Sequence, residues 1–342
     1  ASGGNYNVTV GDEAGTALTT GTHNTFLGST SGDAITDADY NTALGSRALT
    51  TNVLGSANTA VGFDALFTVN PATAVTMYNT AVGYQAGGAV TTGIQNTLIG
   101  GLAGDAITTA NNNTAVGKSS LSATTTGGEN TAVGINALKD NTTASNNTAV
   151  GTNASTANTT GASNTAVGYA ALSVNTSGAS NTAVGYDSLK VNTTAANNVA
   201  VGKSALTANT TGAQNTAVGH TAGAGITTGD YNQAFGYQSM SGGTVTGDSN
   251  SGFGAATLYA LTSGANNVAV GRNALIANTT ASNNTAVGYA SLTANTTGAG
   301  NVAFGSEALS TNVAGSNSTA IGIDALKTQN PDSAADTDNT AV

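Results

Sequence analysis

The chain has 342 residues, with 46 Gly, no Cys, no Trp, 7% charged residues and a net charge of −10. A soluble enzyme of this length would carry about a quarter charged residues. The composition excludes a thick aromatic core, a disulfide framework and a basic nucleic-acid surface, and leaves a thin fold of small side chains.

From Asn7 onward the chain repeats itself. A glycine recurs at Gly11, Gly28, Gly45 and Gly62, then from Gly83 to Gly236 and from Gly254 to Gly322, in steps of 17 residues. The exceptions are steps of 21 after Gly62 and 18 after Gly236. Low charge with abundant Thr and Asn also fits a disordered tract, but such a tract has no reason to hold apolar residues in phase. A fixed short period means a solenoid. The expected fold is all-β, a β-solenoid of about twenty 17-residue coils running through residues 1–342 as one repeat domain.

Positions are counted from the repeat glycine as zero. Position minus four is Asn in nineteen of twenty repeats, including Asn147, Asn164, Asn181, Asn198 and Asn215; Ser318 is the exception. Minus three is commonly Thr or Val and minus two nearly always Ala. Minus one is always apolar, usually Val, otherwise Leu27, Leu44, Ile99, Phe235, Phe253, Phe304 or Ile321. Asn-Thr-Ala-Val-Gly therefore predicts a strand of four or five residues closed by a glycine turn, with Gly151, Gly168, Gly185, Gly202 and Gly219 turning the corner. Neighbouring strand residues face opposite ways. Ala at minus two can fill the coil, but the column Val150, Val167, Val184, Val201 and Val218 then needs another surface. The same strand in another copy of the chain is the simplest cover, and three-fold symmetry suits a fibre.

The second half of the coil has two forms. Most coils carry Leu at plus four, among them Leu66, Leu138, Leu189, Leu206 and Leu326, and most of those have Asn at plus seven, as in Asn175, Asn192, Asn209, Asn278 and Asn295. Five carry Gly there instead (Gly15, Gly32, Gly87, Gly104, Gly223), and all five have an aliphatic residue at plus seven: Leu18, Ile35, Val90, Ile107 and Ile226. One interior space is thus filled from either of two backbone positions, each filling worth roughly 1.5–3 kcal/mol.

Stacked coils place Asn on Asn about 4.8 Å apart, which predicts amide ladders along the axis and a rod of roughly 95 Å. Residues 63–71 and 323–331 share a pattern ending in Asn-Pro, so insertions near 67–78 and 327–338 should bulge from the same corner. A higher-order repeat of about fifteen coils would account for the match. The chain begins at Ala1 without Met and stops at Val342, one residue short of the next glycine, and reads as a fragment of a longer protein. No signal peptide and no apolar run near 18 residues is visible.

These arrays resemble the Asn-Thr-Ala-Val/Ile-Gly repeats of bacteriophage tail-fibre proteins and the head repeats of trimeric autotransporter adhesins. The resemblance covers the chain from Asn7 to Val342, although adhesin-head coils are about three residues shorter. It implies an extracellular homotrimeric fibre, on a virion or a bacterial surface, that spaces or presents a receptor-binding tip, with a cell-surface receptor or glycan as partner.

Chemistry is sparse. His23 and His220 stand too far apart in a solenoid to share a metal or a nucleophile. Asp33, Asp37 and Asp39, and Asp332, Asp336 and Asp338, have no calcium-loop spacing and read as solvated loops. No coil offers a carboxylate pair for glycoside hydrolysis and no glycine cluster forms a phosphate loop. The seven Lys and Arg fall at plus one, two or five, a solvated edge. Tyr84, Tyr169, Tyr186, Tyr237 and Tyr289 share position plus one, where a glycan could stack but corner cover is the simpler role. The expectation is no enzyme, no cofactor, no nucleic-acid partner and no membrane insertion. A structural shaft leads. A head-to-tail filament subunit, or an ice- or surface-binding solenoid using pairs such as Thr193-Thr194 and Thr210-Thr211, are the alternatives.

Overall fold

A computed structural model describes residues 5–329 and 338–342. Among these residues the regular structure is all β, and no helix is long and apolar enough to cross a membrane. The chain divides into two compact units, residues 1–169 and 170–342, and each is a parallel β-solenoid.

One short strand per coil carries the ladder, spanning minus three to minus one. In the first unit Thr131, Ala132 and Val133 align with Thr148, Ala149 and Val150. In the second, Val199, Ala200 and Val201 align with Thr216, Ala217 and Val218. Like therefore stacks on like. These strands hold three residues, not the four or five expected. Asn at minus four points its amide into the coil and so does not extend the strand. The glycine at zero leaves it with φ near +133°, as at Gly117, Gly134 and Gly202.

That glycine is required twice over. Its φ lies where side chains are strained, and a Cβ on Gly151 would stand 2.5 Å from the Gly168 carbonyl oxygen of the following coil. Its N–H meanwhile continues the ladder, as where Gly134 N donates to Val116 O at 2.8 Å.

Two β-turns follow. Ala137 N donates to Gly134 O at 3.3 Å, and Asn141 N to Leu138 O at 3.2 Å. They place plus two and plus four in the left-handed region, which minus five also occupies; Asn136, Leu138 and Asn146 have φ of 56°, 49° and 62°. Left-handed backbone costs a non-glycine residue about 1–2 kcal/mol. At plus four, burial of leucine offsets this: Leu49, Leu138, Leu206 and Leu275 are fully buried. Leu326 is the exception, half-buried in its coil.

The exchange between plus four and plus seven is a packing exchange, as the sequence indicated. A Cβ on Gly104 would lie 2.8 Å from Ile107 Cδ1, and one on Gly87 3.3 Å from Val90 Cγ2. A second cause was not read from the sequence. Phe26 and Leu98 replace Ala at minus two, and the same virtual Cβ atoms collide with them: Gly15 and Gly32 with Phe26 at 2.9 and 2.8 Å, Gly87 and Gly104 with Leu98 at 2.7 and 2.8 Å. An enlarged minus-two residue is thus accommodated by glycine at plus four in its own coil and the coil before. Gly223 has no such neighbour and meets Leu206 Cδ2 at 2.9 Å instead.

The 21-residue coil after Gly62 forms a second small ladder, Gly55 and Ser56 against Val75 and Thr76. Residues 72–76 of this longer coil are exposed, while Val69 and Met77 on either side are fully buried. Residues 330–337, with the matching insertion, Asp332 and Asp336, lie outside the described residues.

Candidate functional site

The side chains expected to matter fall into inner columns and outer ones. Asn147, Asn164, Asn181, Asn198 and Asn215 are all buried. Within each unit the amide oxygens of this column accept the backbone N–H of the next asparagine: in the first, Asn147 N donates to Asn130 Oδ1 at 3.0 Å and Asn164 N to Asn147 Oδ1 at 2.9 Å; in the second, Asn198 N donates to Asn181 Oδ1 at 3.0 Å and Asn215 N to Asn198 Oδ1 at 2.9 Å. The expected amide-to-amide ladder is thus mostly a side-chain-to-backbone ladder in this column. Direct amide pairs occur in some coils, such as Asn96 Nδ2 to Asn79 Oδ1 at 3.2 Å.

The amide-to-amide ladder expected from stacking stands at plus seven. Asn158 Nδ2 donates to Asn141 Oδ1 at 3.1 Å, Asn192 Nδ2 to Asn175 Oδ1 at 2.9 Å and Asn209 Nδ2 to Asn192 Oδ1 at 3.1 Å. The two columns share acceptors. Ala144 O receives both Asn130 Nδ2 at 2.9 Å and Asn141 Nδ2 at 3.0 Å, and Gly212 O receives Asn198 and Asn209 in the same way. Buried polar groups are costly unless paired, and this sharing settles a carbonyl and two amides in each of these coils. Asn175, Asn192 and Asn209 each open an Asn-x-Ser/Thr glycosylation sequence, and burial removes all three from reach, since they have no exposed surface.

The threonine pairs divide their work. At plus eight the hydroxyl is spent internally: Thr193 Oγ1 donates to Thr210 O, and Thr210 Oγ1 to Thr227 O, each at 3.2 Å. At plus nine, Thr194, Thr211 and Thr228 are exposed.

The outer column at minus one is apolar throughout. Val150 and Val218 are 37% and 36% exposed, Val167, Val184 and Val201 half-buried, and Phe304 reaches 57%. Gly151, Gly168, Gly185, Gly202 and Gly219, with φ of 132–135°, close the strands beside it. Phe235 and Phe253 stack in this column at 5.0 Å between centroids.

Other singled-out residues stay at the surface. His23 stacks between Tyr6 and Tyr40 at 4.9 and 5.1 Å, and His220 lies against Tyr237 at 5.7 Å. Tyr84, Tyr169, Tyr186, Tyr237 and Tyr289 are about half exposed, at 49–55%. Asp37 accepts from the hydroxyls of Thr19 and Thr20, both at 2.7 Å, which holds its carboxyl below the usual range. Asp39 accepts from Thr22 N at 2.6 Å. Asp33 and Asp105, each at plus five, are pushed up by burial. Among the described residues no group of three or more His, Asp or Glu side chains is placed to hold a metal ion.

A concave feature lies in the first unit, a cleft of about 240 Å³ beside Asp64, Phe67, Gln85 and Asp105. Two of these lining residues hold Arg47, whose guanidinium carbon is 4.5 Å from the Phe67 centroid and whose Nε is 3.0 Å from Asp64 Oδ1, an ion pair without hydrogen-bond alignment.

The fold and these columns define a parallel β-solenoid repeat protein. A scan against protein-family models finds no match, and a search of curated proteins finds no matching relative.

Proposed function

We propose that the chain is the non-catalytic shaft of an extracellular attachment fibre, formed by three copies joined along the minus-one columns. The observation that carries this reading is the outward column itself. Within each unit every coil adds one apolar side chain to a line that its own coil does not cover. A continuous, part-exposed apolar line of this kind suits an interaction face, and identical columns in three copies are complementary to one another by symmetry. The likeness to tail-fibre and adhesin-head repeats supplies the extracellular setting. The ice-binding alternative is weakened because one of the two threonine columns spends its hydroxyls on neighbouring carbonyls.

Mass in solution tests the reading. Light scattering on the full chain should give three times the 32.8 kDa monomer. Val184→Asp with Val201→Asp, which places charge on the outer face and leaves the coil interior alone, should return it to one. A monomeric parent at micromolar concentration would sink the proposal.

A further inference from the structure

At the corner five places after the repeat glycine, successive coils carry Phe67, Gly88 and Asp105. Gly88 leaves a gap one side chain wide, and the 240 Å³ cleft lies there. The backbone does not call for glycine at this point. A Cβ on Gly88 would meet Gln85 O at 3.4 Å and Asp64 O at 3.6 Å, ordinary contact distances, and its φ is not in the left-handed region. The missing side chain makes room without relieving strain, unlike those of Gly87 and Gly104.

Neighbouring coils are about 4.8 Å apart, so Phe67 and Asp105, two coils from each other, bracket a slot of about 10 Å. That width holds one six-membered ring in contact on both sides. Arg47 comes from the coil before Phe67 and Gly88 from the coil after it, which leaves the ring face opposite Arg47 to the slot. The walls add carboxylate oxygens of Asp64 and Asp105, and the Gln85 amide. Asp105 Oδ1 is itself buried without a hydrogen-bond partner, which leaves Oδ2 as the carboxylate oxygen able to meet a ligand.

The charges select among ligands. Arg47 already occupies one face of Phe67 and pairs with Asp64, so a second cation gains little from the ring, and a pair with Asp105 at an open slot adds only about 0–1 kcal/mol. An anion would meet the unpaired Asp105. A neutral pyranose suits every wall: C–H bonds against the aromatic face, hydroxyls donated to carboxylate oxygen, and both donors and acceptors met by the amide. We propose that the slot between Phe67 and Asp105 binds a single neutral hexose unit. One chain suffices for the site, so it stands apart from the shaft assignment.

Saturation-transfer NMR on the full chain tests this with glucose, galactose and mannose, and with glucosamine and glucuronate as charged analogues. At least one neutral hexose should bind with a dissociation constant on the order of millimolar, as the size of the ligand allows. Gly88→Leu fills the slot and should weaken binding by about tenfold or more with the melting temperature retained. If Gly88→Leu does not fold, Asp105→Ala carries the same expectation. The site is refuted if none of the three hexoses binds, if either charged analogue binds more tightly, or if the folded variant binds like the parent.

Discussion

Leu138 offers a sharp test of how these coils are held. It is fully buried and its φ is 49°, so burial and backbone strain oppose each other at one residue. Leu138→Ala removes most of the buried side chain, a loss of about 2–5 kcal/mol, and leaves the left-handed strain in place. Leu138→Gly loses the same packing but releases about 1–2 kcal/mol of strain. At an ordinary position Gly is worse than Ala by about 0.5–1 kcal/mol; here the release cancels or reverses that order. Leu138→Gly should therefore be equal to Leu138→Ala or better by up to about 1 kcal/mol. The neighbouring Ala137, buried and without positive φ, is the control: Ala137→Gly should show the ordinary penalty. Adding Asn141→Val to Leu138→Gly recreates the Gly87 and Val90 arrangement and should recover part of the loss, with a coupling of about 0.5–3 kcal/mol. Coils of a solenoid need not unfold together, so the measurement is hydrogen exchange at the Leu138 and Asn141 amides, which bond to Ala154 O and Leu138 O. A glycine variant clearly less stable than the alanine variant, by the margin seen at Ala137, would refute the account.

Three further outcomes follow from the columns. Gly151→Ala should lose at least about 1–3 kcal/mol, because both the φ of 132° and the carbonyl 2.5 Å away oppose a Cβ, whereas Gly88→Ala should stay within about 0.5 kcal/mol; melting curves of the pair decide. Asn147→Ala strips the acceptor from the Asn164 N–H and should cost about 1–3 kcal/mol, seen as faster exchange at that amide. Burial raises the Asp105 carboxyl above 3.8. The folded chain then holds that proton more tightly than the unfolded chain, so stability falls as pH rises from 3.8 through the raised folded value, and levels off above it. Asp105→Asn should therefore melt higher than the parent at neutral pH, with the gap closing on acidification. Asp37, lowered by its threonine partners, acts in the opposite sense in both proteins.

The period alone determined a great deal. Because each coil must repeat its hydrogen bonds on the next, seventeen-residue spacing with Ala at minus two and an apolar residue at minus one already required a parallel solenoid with one side chain inside and one outside. The exchange of Leu66 or Leu206 for Gly87 with Val90, or Gly104 with Ile107, was legible for the same reason: a filled interior tolerates only compensated changes. What the string of letters did not carry was backbone handedness. Leu138 and Asn136 sit in the left-handed region, where glycine would be expected, because the two turns after the repeat glycine impose it; burial offsets it at Leu138, and asparagine tolerates it at 136. Nor did the sequence separate the asparagine columns, since which amide meets a backbone N–H and which meets another amide depends on where each side chain points across the coil. The pairing of Phe26 with Gly15 and Gly32, and of Leu98 with Gly87 and Gly104, was present in the sequence but had no meaning until the coils were stacked. The cleft at Gly88 is of the same kind. Only the tertiary structure separates a glycine that the backbone requires from one that leaves a space.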